Sequence, residues 1–387
     1  MKLASRMSRL GTETAFEALA KAKGLEAQGR SIIFLGIGEP DFDTPEHIVD
    51  AARSALESGH THYTPSPGIT EVRQIIAADM SSRLGYEVSA SNVIVTPGGK
   101  PIMFFTILAL VEKGDEVIYP NPGFPIYESM IRFAGGTPVP MRLHEERGYN
   151  PDVDELRSQI SPRTKLIIVN SPNNPCGSVI PEADLEAIAK MANEVDAVVL
   201  SDEIYKDFYF EGEHVSITKF PGMRDRTVVL DGLSKSYAMT GWRVGYGLFP
   251  HELVEPITRL VTNSVSCTAA FSQMAAAAAI EAPQLSVRSM VAEFKQRRDI
   301  IVQGLKEIPG IICPEPKGAF YAFPNITGTG LTSHEFEVRL LEEAGISALS
   351  GTSFGAFGEG FARFSFANSQ ENLREALRRM REWISTL

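Results

Sequence analysis

Lys235 stands between two serines, with Arg243 eight residues further on and glycines at positions 241 and 245. A lysine amine becomes a nucleophile and a base once it loses its proton, and lysine is seldom fully buried without a partner or a covalent task. Ser234-Lys235-Ser236 follows Thr227-Val228-Val229-Leu230, an apolar run that reads as a buried strand ending at Asp231. Two readings fit the stretch: an exposed loop lysine after a strand, or a lysine that forms a Schiff base. Its company elsewhere in the chain decides between them.

That company follows other strand-like runs. Val93-Ile94-Val95 precedes Pro97-Gly98-Gly99-Lys100, and Val117-Ile118-Tyr119 precedes Asn121-Pro122-Gly123-Phe124. Leu166-Ile167-Ile168-Val169 precedes Asn170 to Gly177, and Val198-Val199-Leu200 precedes Ser201-Asp202-Glu203-Ile204-Tyr205. A pyridoxal 5′-phosphate (PLP) site needs an imine lysine, an acid for the pyridinium nitrogen, donors to the ring oxygen, a flat cover and a phosphate cradle. Lys235, Asp202, the pair Tyr205 and Asn174, and Phe124 supply the first four. Gly98, Gly99 and Lys100 open a helix, where free N–H groups and the dipole favour a phosphate, and Ser234 and Arg243 add donors. Singly these residues have plainer readings: Asp202 as a helix N-cap, Phe124 as core, Asn174 and the glycines as turn residues. The case lies in the whole set, in this order.

Short β-branched runs alternating with helices over about 46–58, 70–84, 101–112 and from near Pro181 predict an α/β fold: a mainly parallel sheet between helices. Five strand ends then point at one site, where open α/β sheets bind ligands. Past residue 285 the texture changes. A long helix near 286–307, with Phe294, Ile300, Ile301 and Leu305 on one side and Arg297 and Arg298 elsewhere, begins a smaller α+β domain. It continues with strand-like Ile346 to Leu349, Phe361 to Phe366, and a helix from about Glu371 to Ile384. The expected division is 1–44 as an N-terminal segment packing with the small domain, 45–285 as the large cofactor domain and 286–387 as the small domain. Residues 13–28 read as a helix with Phe16, Leu19, Ala20 and Leu25 on its apolar stripe.

A length of 387 residues suits two domains, and a net charge of −11 argues against nucleic-acid or anionic-membrane partners. The N-terminal residues lack the apolar core of a secretory signal, and three scattered cysteines give no metal spacing and suit a reduced cytoplasm. Gly36-Ile37-Gly38 lacks a third glycine and runs into proline, so it is not a dinucleotide loop.

The chain resembles the class I/II aminotransferases of the fold-type I PLP enzymes over nearly its whole length, and within them the prokaryotic aspartate, aromatic and kynurenine branch. The landmarks are Gly38-Glu39-Pro40-Asp41-Phe42, Asn174-Pro175-Cys176-Gly177, Asp202-Glu203-Ile204-Tyr205, Gly232 to Gly245 and Arg363-Phe364-Ser365. The resemblance implies that Lys235 is the Schiff-base lysine and proton shuttle, and that Asp202 pairs with the pyridine nitrogen. Tyr205 and Asn174 would bond the ring oxygen and Phe124 would stack on the ring. Gly99, the Lys100 N–H, Ser234 and Arg243 would hold the phosphate. Tyr63 would reach the phosphate of a neighbouring subunit, which implies a homodimer. Arg363 would grip the substrate carboxylate, helped by Gly38 and Asn174, with Phe16, Ile37 and Tyr63 near the substrate side chain. One departure is Gly232, where some relatives carry a serine.

The activity implied is ping-pong transfer of an amino group from an L-amino acid to a 2-oxo acid, without a metal. C–S or β-lyases share the same residues and are the alternative. A PLP-binding transcription regulator would need an N-terminal helix-turn-helix segment, and a non-PLP α/β enzyme would leave Lys235 without an imine. No cation lies between Lys100 and Lys113, so an anchor for a distal substrate carboxylate would come from a partner-subunit arginine such as Arg132 or Arg259.

Overall fold

Runs of valine, isoleucine and leucine that are buried on both faces form the centre of the molecule, because such strands need helices on either side to leave water. The computed structural model describes residues 2–387. In chain order the strands are β1 (Ile33–Phe34), β2 (Val93–Thr96), β3 (Glu116–Asn121), β4 (Thr137–His144), β5 (Asn150–Pro151), β6 (Thr164–Asn170) and β7 (Val198–Asp202). They continue with β8 (Thr227–Gly232), β9 (Gly245–Leu248), β10 (Tyr321–Ala322), β11 (Ile346–Ser347), β12 (Leu349–Ser350) and β13 (Ala362–Ser365). The helices begin with α1 (Ala15–Ala27), α2 (Glu46–Glu57), α3 (Thr70–Leu84), α4 (Lys100–Leu110), α5 (Ile126–Ala134) and α6 (Val153–Gln159). After them come α7 (Glu182–Glu194), α8 (His251–Ser264), α9 (Ala270–Glu281), α10 (Leu285–Lys306), α11 (Ser333–Ala344) and α12 (Gln370–Ile384). No helix among the described residues is long and apolar enough to cross a membrane.

The large sheet has the order β2-β9-β8-β7-β6-β3-β4-β5. Strands β8, β7, β6, β3 and β4 run parallel, and β9 lies antiparallel between β2 and β8, so β2 points the same way as the rest. The carboxyl ends of β2, β8, β7, β6 and β3 therefore share one edge, as the alternating pattern predicts. Helices α4, α5 and α8 cover one face, and α7 covers the other.

Several elements escape the sequence pattern. Strand β4 carries Pro138 and Pro140, which argue against a strand, yet β5 pairs only with Leu143 and His144 and leaves the prolines on an open edge. Strand β9 is Gly-Tyr-Gly-Leu, with no β-branched signal. The stretch from Ile346 to Leu349 is two strands that part at Ala348: β11 pairs in parallel with β1, and β12 pairs antiparallel with β13.

Two expected helix faces need correcting. Helix α1 buries Ala15 and Ala22, whereas Phe16 is 59% exposed. On α10, Arg297 and Arg298 lie on the buried side with Phe294, Ile301 and Leu305. They are tolerated there because each is paired: Arg297 with Asp41 at 2.6 Å and Glu293 at 2.9 Å, Arg298 with Asp299 at 2.7 Å and Glu315 at 3.0 Å. The core beneath α10 and α12 is aromatic, with Phe208, Phe294, Phe320, Phe364 and Phe366 fully buried.

Candidate active site

Lys235 lies in the turn that follows β8. The turn is held by backbone bonds from Tyr237 to Leu233 and from Met239 to Ser234, and Ala238 and Arg243 adopt positive φ of 51° and 52°. A buried ionic cluster fixes its base. Asp231, fully buried, accepts from Lys206 Nζ at 3.1 Å, Arg83 Nη2 at 3.0 Å, Tyr246 Oη at 2.9 Å and the Gly232 N–H at 2.7 Å. Lys206 also donates to Asp207 at 3.0 Å, and Ser236 Oγ donates to Asp207. Burial works against the charge on Lys206, but Asp207 and Asp231 outweigh it and hold its proton on. The turn bearing Tyr205 is thus locked to the turn bearing Lys235.

The half-buried Lys235 Nζ donates to the carbonyl of Gly38 at 2.5 Å. Burial, with Arg363 nearby, lowers its pKa from 10.5 to about 8, although Glu39 and Glu13 pull the other way. The amine therefore reaches its neutral, nucleophilic form near physiological pH. Asp202 ends β7, 7% exposed; its Oδ2 accepts from Tyr127 Oη at 2.6 Å and its Oδ1 from the Ile204 N–H at 3.2 Å. Burial, assisted by Asp231 and Glu203, raises its pKa from 3.8 to about 6.

The hydroxyl of Tyr205 lies 2.6 Å from that of Tyr321. Asn174, early in the loop after β6, donates its N–H to Asn170 Oδ1 at 2.9 Å and accepts from Arg363 Nη1 at 2.9 Å. Arg363, on β13 and 4% exposed, also donates from Nη2 to the Gly36 carbonyl, while its Nε is buried without a partner among the described residues. Its guanidinium lies 4.5 Å from the Tyr321 ring centroid and 4.6 Å from that of Phe354.

At the end of β2, Gly98 has φ +85°, and a Cβ there would come within 2.3 Å of Arg243 Nη2. Arg243 donates to the Thr240 carbonyl at 2.8 Å and to the Pro97 carbonyl at 3.3 Å. Gly99 and Lys100 begin α4, whose first N–H groups have no partner within the helix. The Lys100 side chain turns elsewhere: its Nζ pairs with Glu13 at 2.5 Å and lies 5.4 Å from the Phe124 ring centroid and 5.8 Å from that of Phe16. Phe124 packs edge-on against Tyr127, with centroids 5.7 Å apart. Ser234 is buried beside Lys235, and Ile37 packs near Phe354. Cavities of about 910 and 540 Å³ adjoin Phe124 and Lys100, and one of about 690 Å³ adjoins Arg243.

Lys235, Asp202, Tyr205, Asn174, Arg363, Gly38, Gly98, Gly99, Ser234 and Arg243 thus gather along one edge of the sheet. Tyr63 does not join them; it is 89% exposed, on the loop between α2 and α3. Arg132 is tied to Glu128 at 2.7 Å and Arg259 to Glu255. Gly232 faces Gly245 across β8 and β9, and a Cβ there would lie 3.1 Å from Gly245 Cα, so serine would fit only tightly.

Sequence reading missed Tyr127, Tyr321, Gly36 and Glu13. Tyr127 was open to discovery, since three residues after Phe124 at the start of a helix it shares that residue's face. Tyr321 lies in a strand of two residues, too short to carry a pattern.

The family model described as aminotransferase class I and II matches residues 30–380. An aspartate aminotransferase of Pyrococcus horikoshii is 41% identical over 90% of both chains. Aromatic-amino-acid aminotransferase 2 of Thermococcus litoralis is 38% identical, over 98% of this chain and 97% of its own. Among solved structures, the Thermus thermophilus aspartate aminotransferase with maleate superposes with a TM-score of 0.95 at 38% identity, over 99% of each chain.

Proposed function

Because this chain belongs to the class I and II aminotransferase family, we propose that the edge of the sheet around Lys235 holds PLP and the substrate together. The chain is an aminotransferase, an enzyme that moves an amino group from an L-amino acid to a 2-oxo acid in two successive half-reactions. The relatives named above are aminotransferases, and nothing in them favours the lyase alternative.

One observation carries the assignment of the site: a lysine whose pKa burial lowers to about 8 stands at the same sheet edge as a buried carboxylate, a phenol and a buried arginine. The residues fit PLP. The bare Gly98 gives the Arg243 guanidinium room beside the start of α4, where a cation and free N–H groups together suit a phosphate, and the buried Asp202 carboxylate lacks a cationic partner among the described residues. Bound PLP supplies an electron sink for the charge left when the α-proton departs.

The chain's own residues do the rest. Asp202, held by Tyr127 and the Ile204 N–H, keeps the ring nitrogen protonated. Tyr205 and Asn174 donate to the ring oxygen, Phe124 covers the ring, and Gly99, the Lys100 N–H, Ser234 and Arg243 hold the phosphate. Arg363, oriented by Asn174 and the Gly36 carbonyl, binds the substrate carboxylate in a two-pronged contact that lysine cannot match. Lys235 Nζ, neutral above about pH 8, removes the α-proton. Gly38 flanks the carboxylate, and Ile37, with Phe16 at the outer rim, lines the side-chain space.

The exposure of Tyr63 supports a homodimer in which this residue completes the partner's phosphate site. Three free cysteines support a reducing cytoplasm as the working compartment. The pairing of β1 with β11 supports grouping residues 1–44 with 286–387 as one body and 45–285 as the other.

The test is direct. Purified protein should carry a visible imine band, and borohydride should fix the cofactor to Lys235. A panel of amino donors with pyruvate and 2-oxoglutarate should show amino transfer, with little ammonia or pyruvate released from a β-substituted substrate. Absence of both band and fixation would refute the cofactor assignment.

A further inference from the structure

Tyr321 has no task in the reading above, yet it touches several parts of the site. Its hydroxyl lies 2.6 Å from that of Tyr205, and its ring lies 4.5 Å from the Arg363 guanidinium. A Cβ on Gly38 would fall 2.0 Å from the Tyr321 hydroxyl, so glycine at 38 is what leaves the phenol room. The carbonyl of that same glycine holds Lys235 Nζ. Tyr321 is 1% exposed and Tyr205 is 3% exposed, so neither hydroxyl can turn to bulk water.

The sense of the hydrogen bond follows from counting protons. Among the described residues the Tyr321 hydroxyl has one hydrogen-bond partner, Tyr205. If Tyr205 donated, the Tyr321 proton would be buried without an acceptor, which native structures rarely tolerate. If Tyr321 donates, its proton is satisfied and the Tyr205 proton is the one left for the ring oxygen of PLP, the acceptor that the proposed cofactor supplies. A hydroxyl that accepts one hydrogen bond is polarised and donates the next more strongly.

We propose that Tyr321 is a positioning residue with two separable parts: its hydroxyl aims the Tyr205 proton at the oxygen of the cofactor ring, and its ring seats Arg363 for the substrate carboxylate. The inference rests on the PLP reading given above. Burial keeps Tyr205 protonated far above the ordinary tyrosine range, so it acts as a donor throughout. Its donation stabilises negative charge on the ring oxygen, which otherwise helps the Lys235–cofactor Schiff base hold its proton. A weaker donor lets that proton stay to higher pH.

The experiment compares the holoenzyme with Tyr321→Phe, Tyr321→Leu, Tyr205→Phe and the double variant Tyr205→Phe/Tyr321→Phe, by spectrophotometric pH titration of the visible band and by KM for the amino acid. Tyr321→Phe keeps the ring and loses the hydroxyl. It should raise the titration midpoint by about half a unit and leave KM within about twofold. Tyr205→Phe should raise the midpoint further, and adding Tyr321→Phe to it should change nothing more. Tyr321→Leu, which removes the ring, should raise KM about three- to tenfold. A Tyr321→Phe midpoint equal to wild type, or a shift that persists in the Tyr205→Phe background, would overturn the relay. An unchanged KM in Tyr321→Leu would overturn the seat. A wild-type protein without a visible band would instead bring down the cofactor reading beneath both.

Discussion

Replacing Asp202 by asparagine should abolish transamination and yet make the cofactor-free protein more stable at neutral pH. The folded chain binds the Asp202 proton more tightly than the unfolded chain does, at about 6 against an ordinary 3.8. Between those values the folded state holds more protons, so its stability falls as the pH climbs through the window and stays lower above it. A shift of about two units at about 1.4 kcal/mol each amounts to roughly 3 kcal/mol above pH 6. Asparagine removes that penalty but fits less well: its oxygen can accept from the Ile204 N–H, and its NH₂ then faces Tyr127 and leaves the phenol proton without an acceptor. That loss is worth about 1 kcal/mol. The net expectation is that apo Asp202→Asn is about 2 kcal/mol more stable than wild type at pH 7.5, with the advantage gone by about pH 4. Urea unfolding of the two apo proteins at both pH values measures it. A variant less stable than wild type at pH 7.5, or a difference that ignores pH, would refute the claim that a buried, uncompensated carboxylate waits there for a cation.

Other perturbations probe neighbouring parts. Reconstitution of the apo protein with PLP needs a neutral Lys235, so its rate should rise about tenfold per pH unit below 8 and level off above, as stopped-flow absorbance would show; a rate still climbing toward pH 10 contradicts the lowered pKa. Lys235→Ala should bind PLP without turnover, whereas Arg243→Ala should lose cofactor on dialysis. Arg363→Lys keeps the charge but not the fork, and kcat/KM should fall about 10- to 100-fold, mostly through KM. Lys206→Met leaves the fully buried Asp231 and the half-buried Asp207 with one cation fewer and should destabilise the fold by about 3 kcal/mol in denaturant unfolding. Coexpressed Lys235→Ala and Tyr63→Ala chains should regain activity in hybrid dimers, since one of the two shared sites is then intact; no recovery would argue against shared sites.

The sheet was legible where its parallel strands β3, β6, β7 and β8 are largely buried and read as apolar, mostly β-branched runs, each followed by a polar or glycine-rich turn. That same regularity brings Lys235, Asp202 and Asn174 to one edge. Legibility failed where an interaction depends on tertiary neighbours. Arg297 and Arg298 looked like surface charges because their partners Asp41 and Glu315 lie in other segments. Tyr321 drew no notice because nothing in Phe320-Tyr321-Ala322 says that Tyr205 and Arg363 will meet it. Strand β9 was hidden by its two glycines, one of which must be bare so that Gly98 and Gly99 can pass over it: a Cβ on Gly245 would sit 2.6 Å from the Gly98 backbone.

The loop from Gly36 to Thr44 touches Arg363 through the Gly36 carbonyl, Lys235 through Gly38, Arg297 through Asp41, and Ala238 and Trp242 through Thr44. Gly36 and Arg363 are 327 residues apart in sequence. At about 5–20 residues per second, a ribosome needs roughly 15–65 s to make the second after the first. The earliest part of the chain to leave the ribosome is therefore among the last to find its place. A chain synthesised as far as β9 holds every strand of the large sheet and the Lys235 turn but not yet Arg363, the residue proposed to grip the substrate carboxylate. With the role proposed for Arg363, competence to bind the amino acid arrives only with the final few dozen residues.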